Sequence, residues 1–113
     1  MSNLTIVTNQ TGAVSIVTLS GRVDSSTAPQ LDEALSALTS KGASKIVVNL
    51  GELEYISSAG LRALVKAAQA AKAGGGALKL ASVPEAITSV MYTVGLNQVV
   101  ESYADAEKAA ASF

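Results

Sequence analysis

Lys45-Ile46-Val47-Val48-Asn49-Leu50, and a few residues on Tyr55-Ile56-Ser57-Ser58-Ala59-Gly60-Leu61-Arg62, together decide the architecture. The first run is short and mostly apolar, with the β-branched Ile46, Val47 and Val48 at its centre. It predicts a strand buried on both faces, the pattern of an inner strand in a sheet covered by helices. Residues 51–56 read as a loop with a charged middle (Glu52, Glu54) and an apolar close (Tyr55, Ile56). Ser57 and Ser58 then stand before a helix whose apolar face is Leu61, Leu64, Val65 and Ala68. Serine favours a helix start because its side chain can accept a hydrogen bond from an orphan backbone N–H.

Toward the N-terminus, Leu4, Ile6 and Thr8 alternate with Thr5 and Val7, and residues 9–12 carry turn chemistry. Val14-Ser15-Ile16-Val17-Thr18-Leu19 is a second strand, so a hairpin opens the chain. Gly21-Arg22-Val23-Asp24 is read as leaving the sheet. Ser25 or Ser26 would cap a first helix, with Pro29 in its first turn, Asp32 and Glu33 near its start and Lys41 near its end. Ala28, Leu31, Ala34, Leu35 and Leu38 form one face of it, and Gly42 stops it.

Toward the C-terminus, an alanine-rich helix runs into Gly74-Gly75-Gly76, and Ala77-Leu78-Lys79-Leu80-Ala81 is a further strand. Pro84 opens a third helix through Ile87, Val90, Met91 and Val94, closed by Gly95. Residues 96–100 read as a short edge strand. Residues 104–111 read as a last helix with Asp105 and Glu107 in its first turn. The order β-β-α-β-α-β-α-β-α predicts an α/β fold whose sheet is mostly parallel, with one antiparallel pair from the hairpin. At 113 residues the chain is read as a single domain spanning 1–113.

Composition narrows function by what is missing. Eight basic and nine acidic residues leave a net charge of −1, so there is no electrostatic footprint for nucleic acid or an anionic membrane. Without cysteine or histidine, thiol nucleophiles, imidazole acid–base chemistry and Cys/His metal sites are excluded. The triple glycine lacks the Gly-Lys-Ser/Thr ending of a phosphate loop and precedes a strand rather than a helix. No catalytic residue, metal or cofactor is expected. The N-terminus carries no signal pattern and no apolar run is long enough to span a bilayer, so the expected address is cytoplasmic, without direct membrane insertion.

Residues 55–62 have two readings. In one, a serine simply caps the helix, and Gly60 permits close packing or is merely tolerated in a first turn. In the other, a serine at an exposed helix start is open to a kinase. A phosphate there would face free N–H groups and the positive end of the helix dipole, disturbing the fold little while changing the surface charge.

The combination Gly21-Arg22-Val23-Asp24, Ile46-Val47-Val48-Asn49-Leu50 and Tyr55-Ile56-Ser57-Ser58-Ala59-Gly60-Leu61 resembles the STAS domain, and within it the bacterial anti-sigma factor antagonists. The resemblance extends over essentially the whole chain, including Pro84 and Val94-Gly95-Leu96. It implies a four- to five-stranded mixed sheet with about four helices packed mainly on one side. It also implies a function: binding an anti-sigma factor that is a serine kinase, so freeing a sigma factor. That kinase phosphorylates one serine of the antagonist, and a PP2C-type phosphatase restores it. The resemblance places the phosphorylated serine at Ser58 and puts Asp24 near it.

Ser57 stands where the family often has aspartate and Ala59 where it often has a second hydroxyl residue, which leaves Ser57 as a rival phosphosite. Arg62 replaces a commonly small residue and could meet a phosphate, an acidic partner or only solvent. The expected partner surface is Asp24, Ser25, Ser57, Ser58, Ala59, Gly60 and Arg62, with Leu61 assigned to the core. The rival reading is a constitutive STAS subunit of a transporter complex or stress-signalling scaffold, with Ser58 serving as a cap. Nucleotide binding by the chain itself ranks below both.

Overall fold

The computed structural model describes residues 3–96 and 100–113. Strands β1 (Leu4–Thr11) and β2 (Val14–Val23) form the expected antiparallel hairpin. Gly12 at φ 60° makes its tight turn. Helix α1 (Ala28–Ser40) leads to β3 (Lys45–Ile56), α2 (Ser58–Ala73) to β4 (Ala77–Ala81), and α3 (Glu85–Val94) toward β5 (Glu101–Tyr103), with α4 (Ala106–Ala111) last. The strands lie in chain order, β1-β2-β3-β4-β5, and every pairing after the hairpin is parallel. This is the mixed five-stranded α/β sheet that the element order predicts.

In β3, Ile46, Val47, Val48 and Leu50 are fully buried, as a strand covered on both faces requires. The strand does not end at Leu50, however. Residues 51–56 continue it, and Gly21, Arg22 and Val23 remain in β2 as their partners. Two readings, a loop after Leu50 and a departure from the sheet at Gly21, are corrected together. The cause is irregular pairing. Thr18 faces Asn49 but Ser20 faces Glu52, and Gly21 faces Leu53 but Arg22 faces Tyr55, so β3 carries an extra residue at each step. Such bulges shift side chains between faces. Leu50, Leu53 and Ile56 point inward at intervals of three, which no alternation test detects.

α1, α2 and α3 cover one face of the sheet. Leu31, Leu35, Leu61, Leu64, Ile87 and Met91 pack there with Val17, Leu19, Ile46, Val48, Leu78 and Leu80. α4 lies on the other face, where Ala109 joins Val14, Val47 and Ala81, with Tyr103 and Phe113 packed against them. The helices therefore sit mainly, but not wholly, on one side. Lys79 on that second face is only 7% exposed. Its ammonium donates to the Ser112 hydroxyl (2.8 Å) and carbonyl (3.2 Å) and lies over the Phe113 ring at 4.3 Å. A buried ammonium needs such partners.

Several boundaries differ from the sequence reading. The N-cap position of α1 is Thr27, not Ser25 or Ser26, and no acidic residue lies in its first turn. Val65 is only partly buried, and Val90 is 39% exposed, at the rim of its helix rather than in the core. An edge strand runs over 101–103, and of the expected strand at 96–100 residues 97–99 lie outside the described residues. α4 begins at Ala106, with Asp105 as its cap, accepting from the Lys108 N–H at 2.8 Å.

Candidate functional site

The parallel strands β2 and β3 end side by side, at Val23 and Ile56. The Ser57 N–H donates to the Val23 carbonyl at 2.7 Å, tying the two strand ends together as α2 begins. Ser57 is the N-cap, its hydroxyl accepting from the Gly60 N–H at 3.2 Å, which satisfies one orphan donor of the first turn. Ser58 is the first helical residue. It is exposed, and among the described residues its hydroxyl makes no hydrogen bond.

Gly60 is buried. A Cβ added there would lie 2.6 Å from Val23 Cγ1 and 2.7 Å from Ile56 Cγ1. Close packing is its role, so it brings the helix start against the strand ends without presenting a surface of its own. Leu61 is 2% exposed, as a core residue should be.

Asp24, partly exposed, organises the turn between β2 and α1. Its Oδ1 accepts from the Ser26 hydroxyl (2.6 Å), the Ser26 N–H (2.9 Å) and the Thr27 N–H (3.0 Å). The Asp24 N–H donates in turn to the Thr27 hydroxyl at 2.9 Å. These donors favour the ionised carboxylate, the Ser26 hydroxyl most of all, and hold Asp24 below the usual carboxylate range despite some loss of water around it. Thr27, which the sequence reading passed over, is buried and donates its hydroxyl to the Arg22 carbonyl at 3.0 Å.

Between α1 and α2 lies an open groove of about 320 Å³ lined by Ser25, Pro29, Asp32, Ala59, Arg62 and Lys66, among others. On the far side of α2, Ser58, Leu61, Arg62, Val65, Lys66 and Gln69 line a second depression. Arg62 and Lys66 form the ridge between them. Lys66 pairs with Asp32 at 3.2 Å, whereas Arg62 is exposed and has no ion pair among the described residues. Beside this surface, Arg22 lies 4.7 Å over the ring of Tyr55, which is 42% exposed. The structure thus gathers Ser25, Ser57, Ser58, Ala59 and Arg62 around the start of α2, and sets Asp24 in the adjoining turn. The Arg22–Tyr55 contact and the role of Lys66 are not legible in the sequence, since the irregular β2–β3 register sets Arg22 opposite Tyr55 and only helix packing brings Lys66 to Asp32.

Among the described residues no cluster of three or more His, Cys, Asp or Glu side chains is placed to hold a metal, and no helix is long and apolar enough to cross a membrane.

A family model described as Mlab, STAS domain matches residues 6–101. The chain belongs to the STAS family. A putative anti-sigma factor antagonist, BtrV of Bordetella bronchiseptica, is 36% identical over 98 residues, 87% of this chain and 84% of that protein. The anti-sigma-B factor antagonist of Bacillus subtilis is 31% identical over 91 residues, 80% and 83% of the two chains. The Bacillus cell fate determinant SpoIIAA, solved in its phosphorylated form, shares the fold with a TM-score of 0.76 at 18% identity, over 96% of this chain and all of that one (100%). Within the STAS family this chain stands with the anti-sigma factor antagonists, regulators of partner-switching signal transduction.

Proposed function

We propose that this STAS protein acts as one domain in the cytoplasm, binds an anti-sigma factor that is also a serine kinase, and so releases a sigma factor. Phosphorylation of Ser58 ends that binding, and a PP2C-type phosphatase restores it by hydrolysing the phosphoester. In the transfer step the Ser58 hydroxyl oxygen bonds to the γ-phosphorus of ATP, its proton leaves to solvent, and ADP departs.

The carrying observation is the division between two adjacent serines. Ser57 is half-buried and its hydroxyl is engaged at Gly60, while the Ser58 hydroxyl is exposed and unengaged. A kinase reaches Ser58 without undoing the cap. The added phosphate carries roughly −1.5 to −2 charges and sits at the positive end of α2, where it harms the host fold little. It adds that charge beside Arg62, in the depression on the far side of α2, so a docking surface matched to the neutral hydroxyl loses affinity.

The test is incubation with the cognate kinase and ATP, with the phosphate mapped by mass spectrometry. Modification at Ser58 is expected. Modification at Ser57, or none with a verified partner kinase, overturns the assignment. Ser58→Asp should weaken kinase binding while Ser58→Ala retains it; equal affinity for both would show that charge is not the signal, as in a constitutive scaffold.

A further inference from the structure

We propose that the open edge of β1 pairs with β1 of a second copy of this chain, closing a two-fold antiparallel dimer centred on Thr8. β1 is an outer strand of the sheet, and among the described strands it pairs with β2. In an antiparallel pair, alternate residues turn their N–H and carbonyl groups toward the partner strand and the intervening ones turn theirs away. Two observations fix which are which. The Arg22 N–H donates to the Asn3 carbonyl at 3.0 Å, and the two-residue turn at Gly12 joins Thr11 to Val14 as facing residues. Thr5, Val7, Asn9 and Thr11 therefore bond to β2, and Leu4, Ile6, Thr8 and Gln10 direct their backbone groups to the free edge. The Gln30 amide covers the Leu4 carbonyl at 3.3 Å. Among the described residues, what stays open is Ile6, Thr8 and Gln10, a stretch symmetric about Thr8.

That symmetry, together with the charge pattern, selects a second copy as the occupant. Strands related by a two-fold axis set Thr8 against Thr8 and Ile6 against Gln10 of the second copy, with every open donor meeting a carbonyl. At a two-fold axis a charged residue meets its own charge. Exposed edges are commonly protected by lysine, inward charges or proline. The segment LTIVTNQT contains none of them. A neutral edge tolerates its own image, whereas a charged partner strand finds no complement there. Val7, 48% exposed on the face away from α1, gains cover from the second copy. The opposite edge of the sheet is unsuited to head-to-tail pairing, because β5 has three residues and begins with the exposed Glu101.

Sedimentation velocity over a concentration series tests the proposal, with wild type, Thr8→Lys and Thr8→Val compared and circular dichroism confirming that each is folded. Wild type and Thr8→Val should reach twice 11.4 kDa. Thr8→Lys, which sets two ammonium groups face to face, should weaken dimerisation roughly tenfold or more. A wild type that stays at 11.4 kDa throughout overturns the proposal, as does open-ended assembly. A dimer indifferent to Thr8→Lys overturns it too, since another surface would then be responsible. The outcome is independent of whether Ser58 is phosphorylated, because no kinase enters the experiment.

Discussion

Neighbouring hydroxyls at the start of α2 serve different ends, and substitution separates them. Ser57→Ala removes the side chain that accepts from the Gly60 N–H and should cost about 1 kcal/mol. Ser58→Ala removes an exposed hydroxyl without a partner among the described residues and should stay within about 0.5 kcal/mol of wild type. Urea unfolding midpoints of the two variants check this. Asp24 makes a prediction about pH. Its folded-state pKa lies below the ordinary value, so the unfolded chain binds its proton first as the medium becomes acid. The stability it contributes is complete above the unfolded value and is lost as pH falls through the lowered one. Asp24→Asn should flatten that part of the acid limb, and melting temperatures measured across the acid range would show it.

At the scale of the elements, the entry angle of α2 depends on the missing side chain at Gly60. Gly60→Ala pushes a methyl into Val23 and Ile56, where β-branched neighbours have little freedom to yield, and should destabilise by about 1–3 kcal/mol. Denaturant unfolding measures the cost, and preserved binding of the partner kinase by the folded fraction would separate packing from recognition. Most elements were legible in the sequence because their periods are regular: Leu31, Leu35 and Leu38 mark α1, and the unbroken run Ile46-Val47-Val48 marks β3. The second half of β3 was not, because two bulges replace the period of two with inward residues at 50, 53 and 56. The cap of α1 was missed for a related reason. Asp24 takes the N–H groups of Ser26 and Thr27 itself, so the serines that look like caps are turn residues instead. The site was legible in its residue types but not in its division of labour, since only geometry tells the engaged hydroxyl from the idle one.

For the whole molecule, the sheet has two unlike faces. The side under α1, α2 and α3 holds the larger core, whereas the other is closed over β3 and β4 by a six-residue helix and the residues after it. Lys79 fastens that cover. Phe113→Ala removes the ring over which its ammonium lies and should cost roughly 1–3 kcal/mol, from the lost cation–π contact together with lost apolar burial. A lowered unfolding midpoint with unchanged kinase binding is the expected pair of readouts, because this cover lies across the sheet from α2. The exposed tip of α2 carries a further consequence for the life of the protein in a cell. The phosphate proposed for Ser58 would settle against the first-turn N–H groups of α2 and add roughly 0.3–1 kcal/mol to the folded state. Silencing by phosphate would then leave the sturdier form, and slower proteolytic turnover would make the silenced pool a reserve from which dephosphorylation restores activity faster than new synthesis could.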